Sequence, residues 1–166
     1  MGVAGGSGPA EGRFLNGNFL VTVPGVKFYE SSARIAAAPE KVWEILTDAS
    51  GYPEWNPAVD RVEGDIAPGR KIKLFVPISP GRAFPLTVAE FQPPHRMVWT
   101  GGMQLGLFRG VRTFTLTPST ADGATEFRMR EEFTGPMLPL IWKSMPDFSG
   151  AFVQFAEGLK QRAEGG

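Results

Sequence analysis

Two charged side chains interrupt stretches otherwise suited to burial. In "GVRTFTL", Arg112 alternates with Phe114 and Leu116; in "EFRMREEF", Glu131 alternates with Phe127, Met129 and Phe133. Every second residue of an extended strand points to the same face, so both charges are expected on an apolar side. An unpaired charge there costs on the order of several kcal/mol. The two are therefore expected either to pair with each other or to meet a polar group of a bound molecule. In the second case Arg112 orients that group and Glu131 is a candidate proton acceptor. The competing expectations are a purely structural ion pair, or a bulge that shifts the alternation and exposes one of the two.

Other reactive groups are scarce. The chain has no cysteine and a single histidine, His95, in the turn-like "PPHR". That argues against thiolate chemistry, a Ser-His-Asp triad and a multi-histidine metal site. No phosphate-binding G-x-x-x-x-G-K-[ST] loop is present, and "GGMQLG" lacks the spacing of a dinucleotide fingerprint. Asp48 and Glu54 read as solvated, Asp48 as an acceptor for backbone donors near a helix end. No catalytic residue beyond the Arg112 and Glu131 candidates, no metal and no cofactor is expected.

Composition narrows the class. The 166 residues carry 17 basic and 17 acidic side chains and are 42% hydrophobic, as expected of one globular domain without a nucleic-acid-binding charge excess. No run approaches the roughly 20 apolar residues of a membrane-spanning helix. The opening "MGVAGGSGPAEG" has neither a basic n-region nor an apolar h-region, and Gly6 stands where a myristoylation signal needs Ser or Thr. The expectation is a soluble cytoplasmic protein without membrane insertion. Oligomeric state leaves no signal.

Residues 1–27 read as an N-terminal tail, either flexible or adding a hairpin at Asn16-Gly17; residues 28–166 read as one domain. "YESSARIAA" (29–37) alternates as a strand. "APEKVWEILTD" begins a helix at Pro39, with Val42, Trp43, Ile45 and Leu46 as its apolar stripe. "YPEWNP" (52–57) allows at most one further helical turn. Six strand candidates follow: "VDRVEGDI", "RKIKLFVPI", "AFPLTVAEFQ", "HRMVWTGG", "LFRGVRTFTLTP" and "GATEFRMREEF". Gly or Pro marks every junction, which suits an antiparallel meander. "PMLPLIWKSM" (136–145) reads as a short apolar helix. Residues 147–163 read as a longer one, with Phe148, Phe152, Phe155 and Leu159 on one face and Pro146 at its first turn.

This order, and the stretches "APEKVWEILTD..GYPEWNP", "EFQPPHRMVW.GG", "G.R.FTL.P...G.TEF....EF.GP" and "F..F.EGLK.RAE", resemble the START-like, or Bet v 1-like, helix-grip superfamily. The likeness is to its bacterial polyketide cyclase/dehydrase and lipid-transport (SRPBCC) group, and spans roughly residues 30 to 163. The resemblance implies an α+β fold: a curved antiparallel sheet of about seven strands around a long C-terminal helix, with two short helices after the first strand. It also implies an apolar cavity between sheet and helix.

Strand parity supplies the inward faces: Ile72, Leu74 and Val76; Leu86 and Val88; Met97 and Trp99; Phe114 and Leu116; Phe127, Met129 and Phe133. Phe148, Phe152 and Phe155 come from the helix. From these, the expected ligand contacts are Trp55, Leu74, Val76, Val88, Met97, Trp99, Arg112, Phe114, Met129, Glu131, Phe152 and Phe155. Tyr52 and Trp55 either cap the cavity or plug the core under their loop. The stretch 101–110 is either a mobile gate or an apolar hairpin tip. The functional expectation is a carrier or sensor of a small hydrophobic molecule: a lipid, a polyketide-like or an aromatic compound. The alternatives are a cyclase or dehydratase acting on such a compound, and a protein-interaction module, which an exposed apolar patch at 101–110 would favour.

Overall fold

A seven-stranded antiparallel sheet wraps one face around the C-terminal helix. The computed structural model describes residues 25–165, so residues 1–24 of the expected tail, with the Asn16-Gly17 hairpin, lie outside the described residues, and Lys27, expected in the tail, begins the first strand. The strands are β1 (Lys27–Ile35), β2 (Arg61–Glu63), β3 (Lys71–Phe75), β4 (Ala83–Gln92), β5 (Arg96–Gly102), β6 (Arg109–Pro118) and β7 (Thr125–Thr134). Their spatial order is β1-β7-β6-β5-β4-β3-β2. The hairpin-connected run β2 to β7 follows from the Gly/Pro junctions, and β1 then closes on β7.

The helices are α1 (Pro39–Thr47), α2 (Tyr52–Trp55), α3 (Leu138–Ser144) and α4 (Ser149–Glu164). In α1, Pro39 takes the first turn, where its missing N–H removes no intrahelical bond. Val42, Trp43 and Leu46 are buried. Asp48 ends this helix and its Oδ1 accepts from the Ser50 backbone N–H at 3.1 Å, which turns the chain into α2. The short hydrogen bonds from Ser50 hold the Asp48 carboxyl below the usual carboxylate range.

Helix α4 starts later than the sequence pattern predicts. Asp147 Oδ1 accepts from the Ser149 N–H at 2.9 Å, so the Asp sits before the first turn rather than inside it. Pro146 and Phe148 consequently precede the helix, Phe148 as its N-cap. The buried stripe is Phe152, Phe155, Ala156, Leu159 and Ala163. At its far end Lys160 Nζ donates to the Arg34 carbonyl at 2.6 Å, tying α4 to β1.

Gly158, unfavourable for an isolated helix, has a packing reason. A Cβ there would lie 2.1 Å from the Trp55 carbonyl oxygen. The bare glycine lets α2 lie directly against α4.

Candidate ligand-binding hollow

The inward face of the sheet is best described as rows running across the strands. One row pairs Met97 with Phe114 and Phe114 with Met129. The next pairs Trp99 with Arg112 and Arg112 with Glu131, and continues to Tyr29 on β1. The third pairs Gly101 with Gly110 and Gly110 with Phe133. Side-chain volume therefore drops in the third row at Gly110, while at Gly101 the Leu86 side chain and the Pro85 carbonyl take the place of a Cβ.

The consequence is a hollow of about 470 Å³ between that end of the sheet and the start of α4. Leu74 and Val76 contribute from β3 and the residue after it, Leu86 and Phe84 from β4, Phe133 from β7, and Phe152 and Phe155 from α4. Helix α3 and the residues following it close the side with Ile141, Met145 and Phe148. The volume lies within the range of small-molecule sites, and the lining is chiefly apolar.

Arg112 and Glu131 stand on the wall as a pair. The register that places them opposite each other follows from the β6–β7 hairpin, and the bulge envisaged as an alternative is absent there. Arg112 donates from Nη2 to Glu131 Oε2 at 2.6 Å and from Nε to the same oxygen at 3.1 Å. Their side chains are only 12% and 13% exposed. The Arg112 guanidinium also lies 5.2 Å from the Phe152 ring centroid, so its flat face is covered by the helix. Removing either partner would strand the other charge in a poorly solvated place.

Of the residues expected to contact ligand, Leu74, Val76, Arg112, Met129, Glu131, Phe152 and Phe155 line the hollow. Trp55, Val88, Met97, Trp99 and Phe114 do not, although all five are buried. Parity identifies the face of a strand and is silent about position along it. All of Val88, Met97, Trp99 and Phe114 face inward; Met97 and Phe114 lie one row nearer the end that α1, α2 and α4 fill, whereas Val88 and Trp99 share the Arg112 row and are covered, Trp99 with the Tyr52 ring 6.3 Å away. Trp99 packs edge-on against Phe114 with centroids 4.7 Å apart, leaving no gap between them.

Trp55 and Tyr52 plug the core rather than cap the hollow. Their rings lie 4.7 Å apart, and Trp55 meets Phe155 edge-on at 5.2 Å. Tyr52 is completely buried, and its hydroxyl donates to the Leu46 carbonyl at 2.8 Å. Burial pushes its ionisation strongly upward.

Three features escaped the sequence reading. Gly110 leaves room on β6, where a Cβ would meet nothing closer than 3.5 Å, whereas at Gly101 the Leu86 side chain and the Pro85 carbonyl already take the place of a Cβ; the clue was that the inward spacing Leu116, Phe114, Arg112 continues back to Gly110. Phe108 lines the hollow and stacks on Phe133 at 5.8 Å. Tyr29 anchors an aromatic cluster on the inner face beside the hollow, stacked on Trp142 at 5.5 Å and tilted against Phe152 at the same distance. Burial raises the Tyr29 ionisation, and the nearby Asp147 and Glu131 charges add to the effect.

The stretch 101–110 ends in an exposed tip. Leu105 is 96% exposed and adopts a left-handed backbone with φ of 59°, uncommon for a residue with a branched side chain. Met103 and Leu107 beside it are also exposed. The tip is held to the segment before α3 by the Met137 N–H, which donates to the Leu107 carbonyl at 2.9 Å. Among the described residues, no cluster of three or more His, Asp or Glu could hold a metal ion, and no helix is long and apolar enough to cross a membrane. His95 occupies the β4–β5 turn, away from the hollow.

With this geometry in place, comparison with known proteins is informative about family and fold. The family described as polyketide cyclase / dehydrase and lipid transport matches residues 28–164. A START superfamily protein from Mycobacterium smegmatis superposes with a TM-score of 0.58 at 19% identity, covering 83% of this chain and 97% of that one. An aromatase/cyclase from Streptomyces sp. R1128 gives 0.62 at 16% identity, with 84% and 94% covered. A truncated norcoclaurine synthase from Thalictrum flavum gives 0.60 at 17%, with 86% and 94% covered. At these identities the likeness establishes a shared START-like fold alone. No curated protein sequence matches the chain.

Proposed function

The chain belongs to the polyketide cyclase/dehydrase and lipid-transport family, and from that premise we propose that it binds a small hydrophobic molecule in the hollow between sheet and α4, as a carrier or sensor. The observation that carries this reading is Gly110 on the inward face of β6, where a Cβ would meet only ordinary contacts, beside about 470 Å³ left unfilled. A chain selected only for stability would gain by filling such a space, since each missing methylene forfeits about 0.8 kcal/mol of burial. A lipid, polyketide-like or aromatic compound suits the lining of Phe, Leu and Met. Apolar burial supplies the affinity, and Arg112 and Glu131 orient the ligand's polar group.

The test is mass spectrometry of small molecules released by denaturing the purified protein. A stoichiometric apolar compound, lost when Gly110→Leu intrudes on the hollow beside Glu131 and Phe133, supports the reading; an empty protein that also takes up no hydrophobic dye refutes it. Conversion of the released compound by the intact protein, abolished in Glu131→Gln, would establish instead the cyclase or dehydratase alternative.

One observation favours a second reading, that of a docking module for another protein. All five large apolar side chains exposed among the described residues, Ile78, Met103, Leu105, Leu107 and Leu140, fall in three stretches that also contribute to the wall of the hollow. A stoichiometric protein partner released by Leu105→Asp, together with no retained small molecule, would put this reading first.

A further inference from the structure

The hydrogen bonds within the Arg112–Glu131 pair are lopsided. Both guanidinium bonds fall on Glu131 Oε2, and no described residue donates to Oε1. That second oxygen is not sealed away, because Glu131 borders the hollow. It also faces the space that Gly110 leaves: a Cβ on Gly110 would lie 3.5 Å from Oε1 and 3.5 Å from the Phe133 ring. A bound molecule reaching this spot would therefore meet a carboxylate oxygen with spare lone pairs, beside an aromatic edge.

The charge balance decides what can sit there. Arg112 and Glu131 compensate each other, so the inner end of the hollow has no net charge to offer. A carboxylate ligand would bring a second anion against Oε1, and a cationic ligand would face Arg112; each would lose water without a free counter-charge. An uncharged donor gains a hydrogen bond to a charged acceptor, about twice as strong as a neutral one. Among the described residues the one other cation on the lining, Arg82, is solvent-exposed and lies over the Phe84 ring at 5.0 Å, where water screens it.

We propose that the hollow selects uncharged hydrophobic molecules bearing a hydroxyl group, whose proton Glu131 Oε1 accepts in a hydrogen bond. The proposal rests on the reading of the hollow as a small-molecule site, and names its ligand class. The rings of Phe133 and Phe152 beside the pair favour a ring-bearing alcohol or phenol.

The experiment compares 2-naphthol, naphthalene and 2-naphthoate, which share one bicyclic ring and differ in the polar group, by calorimetric titration into the intact protein near neutral pH. The expected order is naphthol tightest, by about 10–100-fold over naphthalene, and naphthoate weakest. In an Arg112→Met/Glu131→Leu double variant, which removes both charges together, the naphthol advantage should vanish while naphthalene still binds. Gly110→Ala provides a second route, since its methyl group meets only ordinary contacts yet covers Oε1; it should cut the naphthol advantage without unfolding the protein. Naphthoate binding as tightly as naphthol, naphthol no better than naphthalene, or a naphthol advantage that persists in both variants would overturn the selectivity while leaving the hollow as a site. Failure of all three probes to bind would overturn the site and the selectivity together.

Discussion

Gly158 allows the packing of α2 on α4 to be tested by one methyl group. In an exposed helix interior, Gly→Ala stabilises by about 1 kcal/mol through propensity. At Gly158 the added Cβ would stand 2.1 Å from the Trp55 carbonyl oxygen and 3.2 Å from its carbonyl carbon. A carbon–oxygen contact relaxes only beyond about 3.3 Å, so α2 would have to retreat by roughly 1.2 Å. Backbone cannot rotate out of the way as a side-chain tip can, and the movement would open the contacts of Trp55 and Tyr52 with Phe155. Overpacking of this kind costs about 1–3 kcal/mol, enough to reverse the propensity gain. Gly150 is the internal control: it lies in the same helix, and a Cβ there meets nothing within 4 Å. Urea denaturation followed by tryptophan fluorescence should show a lowered midpoint for Gly158→Ala at unchanged m-value, and an unchanged or raised midpoint for Gly150→Ala. A Gly158→Ala midpoint equal to or above wild type would refute the claim that a bare glycine sets the distance between the two helices.

Further predictions concern the polar groups and the hollow. Tyr52→Phe removes the hydroxyl bond to Leu46 and should cost about 1 kcal/mol, measured by the same denaturation. The pH dependence has a definite sign: because burial raises the Tyr52 pKa in the folded state, its contribution is intact below the unfolded value of about 10 and declines as pH rises beyond it, by up to about 1.4 kcal/mol per pH unit. Tyr52→Phe should therefore flatten the loss of stability above pH 10; an unchanged slope would contradict burial of the phenol. Arg112→Met alone should destabilise by about 2–4 kcal/mol by orphaning Glu131, and the Arg112→Met/Glu131→Leu double variant should recover a large part of that loss; equal losses in the two would argue against a coupled pair. Gly110→Leu should lower the affinity for a hydrophobic dye at least tenfold with an unchanged circular dichroism spectrum, and undiminished dye binding would place the dye elsewhere.

The strand order was legible because each junction carried Gly or Pro and each strand its own alternation; β4, for example, matches "AFPLTVAEFQ" residue for residue. The Arg112–Glu131 meeting was legible for the same reason, since hairpin-connected neighbours with inward parity must approach each other. Position along the sheet was not. Phe114 and Arg112 have the same parity and differ by one row, yet only Arg112 reaches the hollow. That difference depends on where α4 and α2 lie over the sheet, which is a matter of packing between elements far apart in sequence. Tyr52 and Trp55 were ambiguous on similar grounds: both rings are equally suited to a cap or a plug, and the close approach permitted by Gly158 decides for the plug. The start of α4 turned on one short-range hydrogen bond from Ser149 to Asp147, which no apolar periodicity reports.

A single sheet face thus does two jobs at its two ends. Toward Leu116 and Phe127, large side chains from the strands meet the Phe155 and Leu159 stripe of α4, with α1 and α2 packed alongside, and the space is filled. Three rows further on, at Gly110, β6 presents no side chain while α4 continues past, so the helix and sheet stay apart because the filled end holds them apart. The hollow can persist in the absence of a guest for this reason: its walls are cantilevered from a core that does not need it. Arg112 and Glu131 sit at the junction between the two regimes. Their mutual pairing is what allows charge on the wall of an apolar hollow, and it leaves Glu131 Oε1 facing the space beside Gly110. Under the proposed small-molecule reading, stability and recognition are separable along β6, with Phe114 serving the first, Gly110 the second, and Arg112 both.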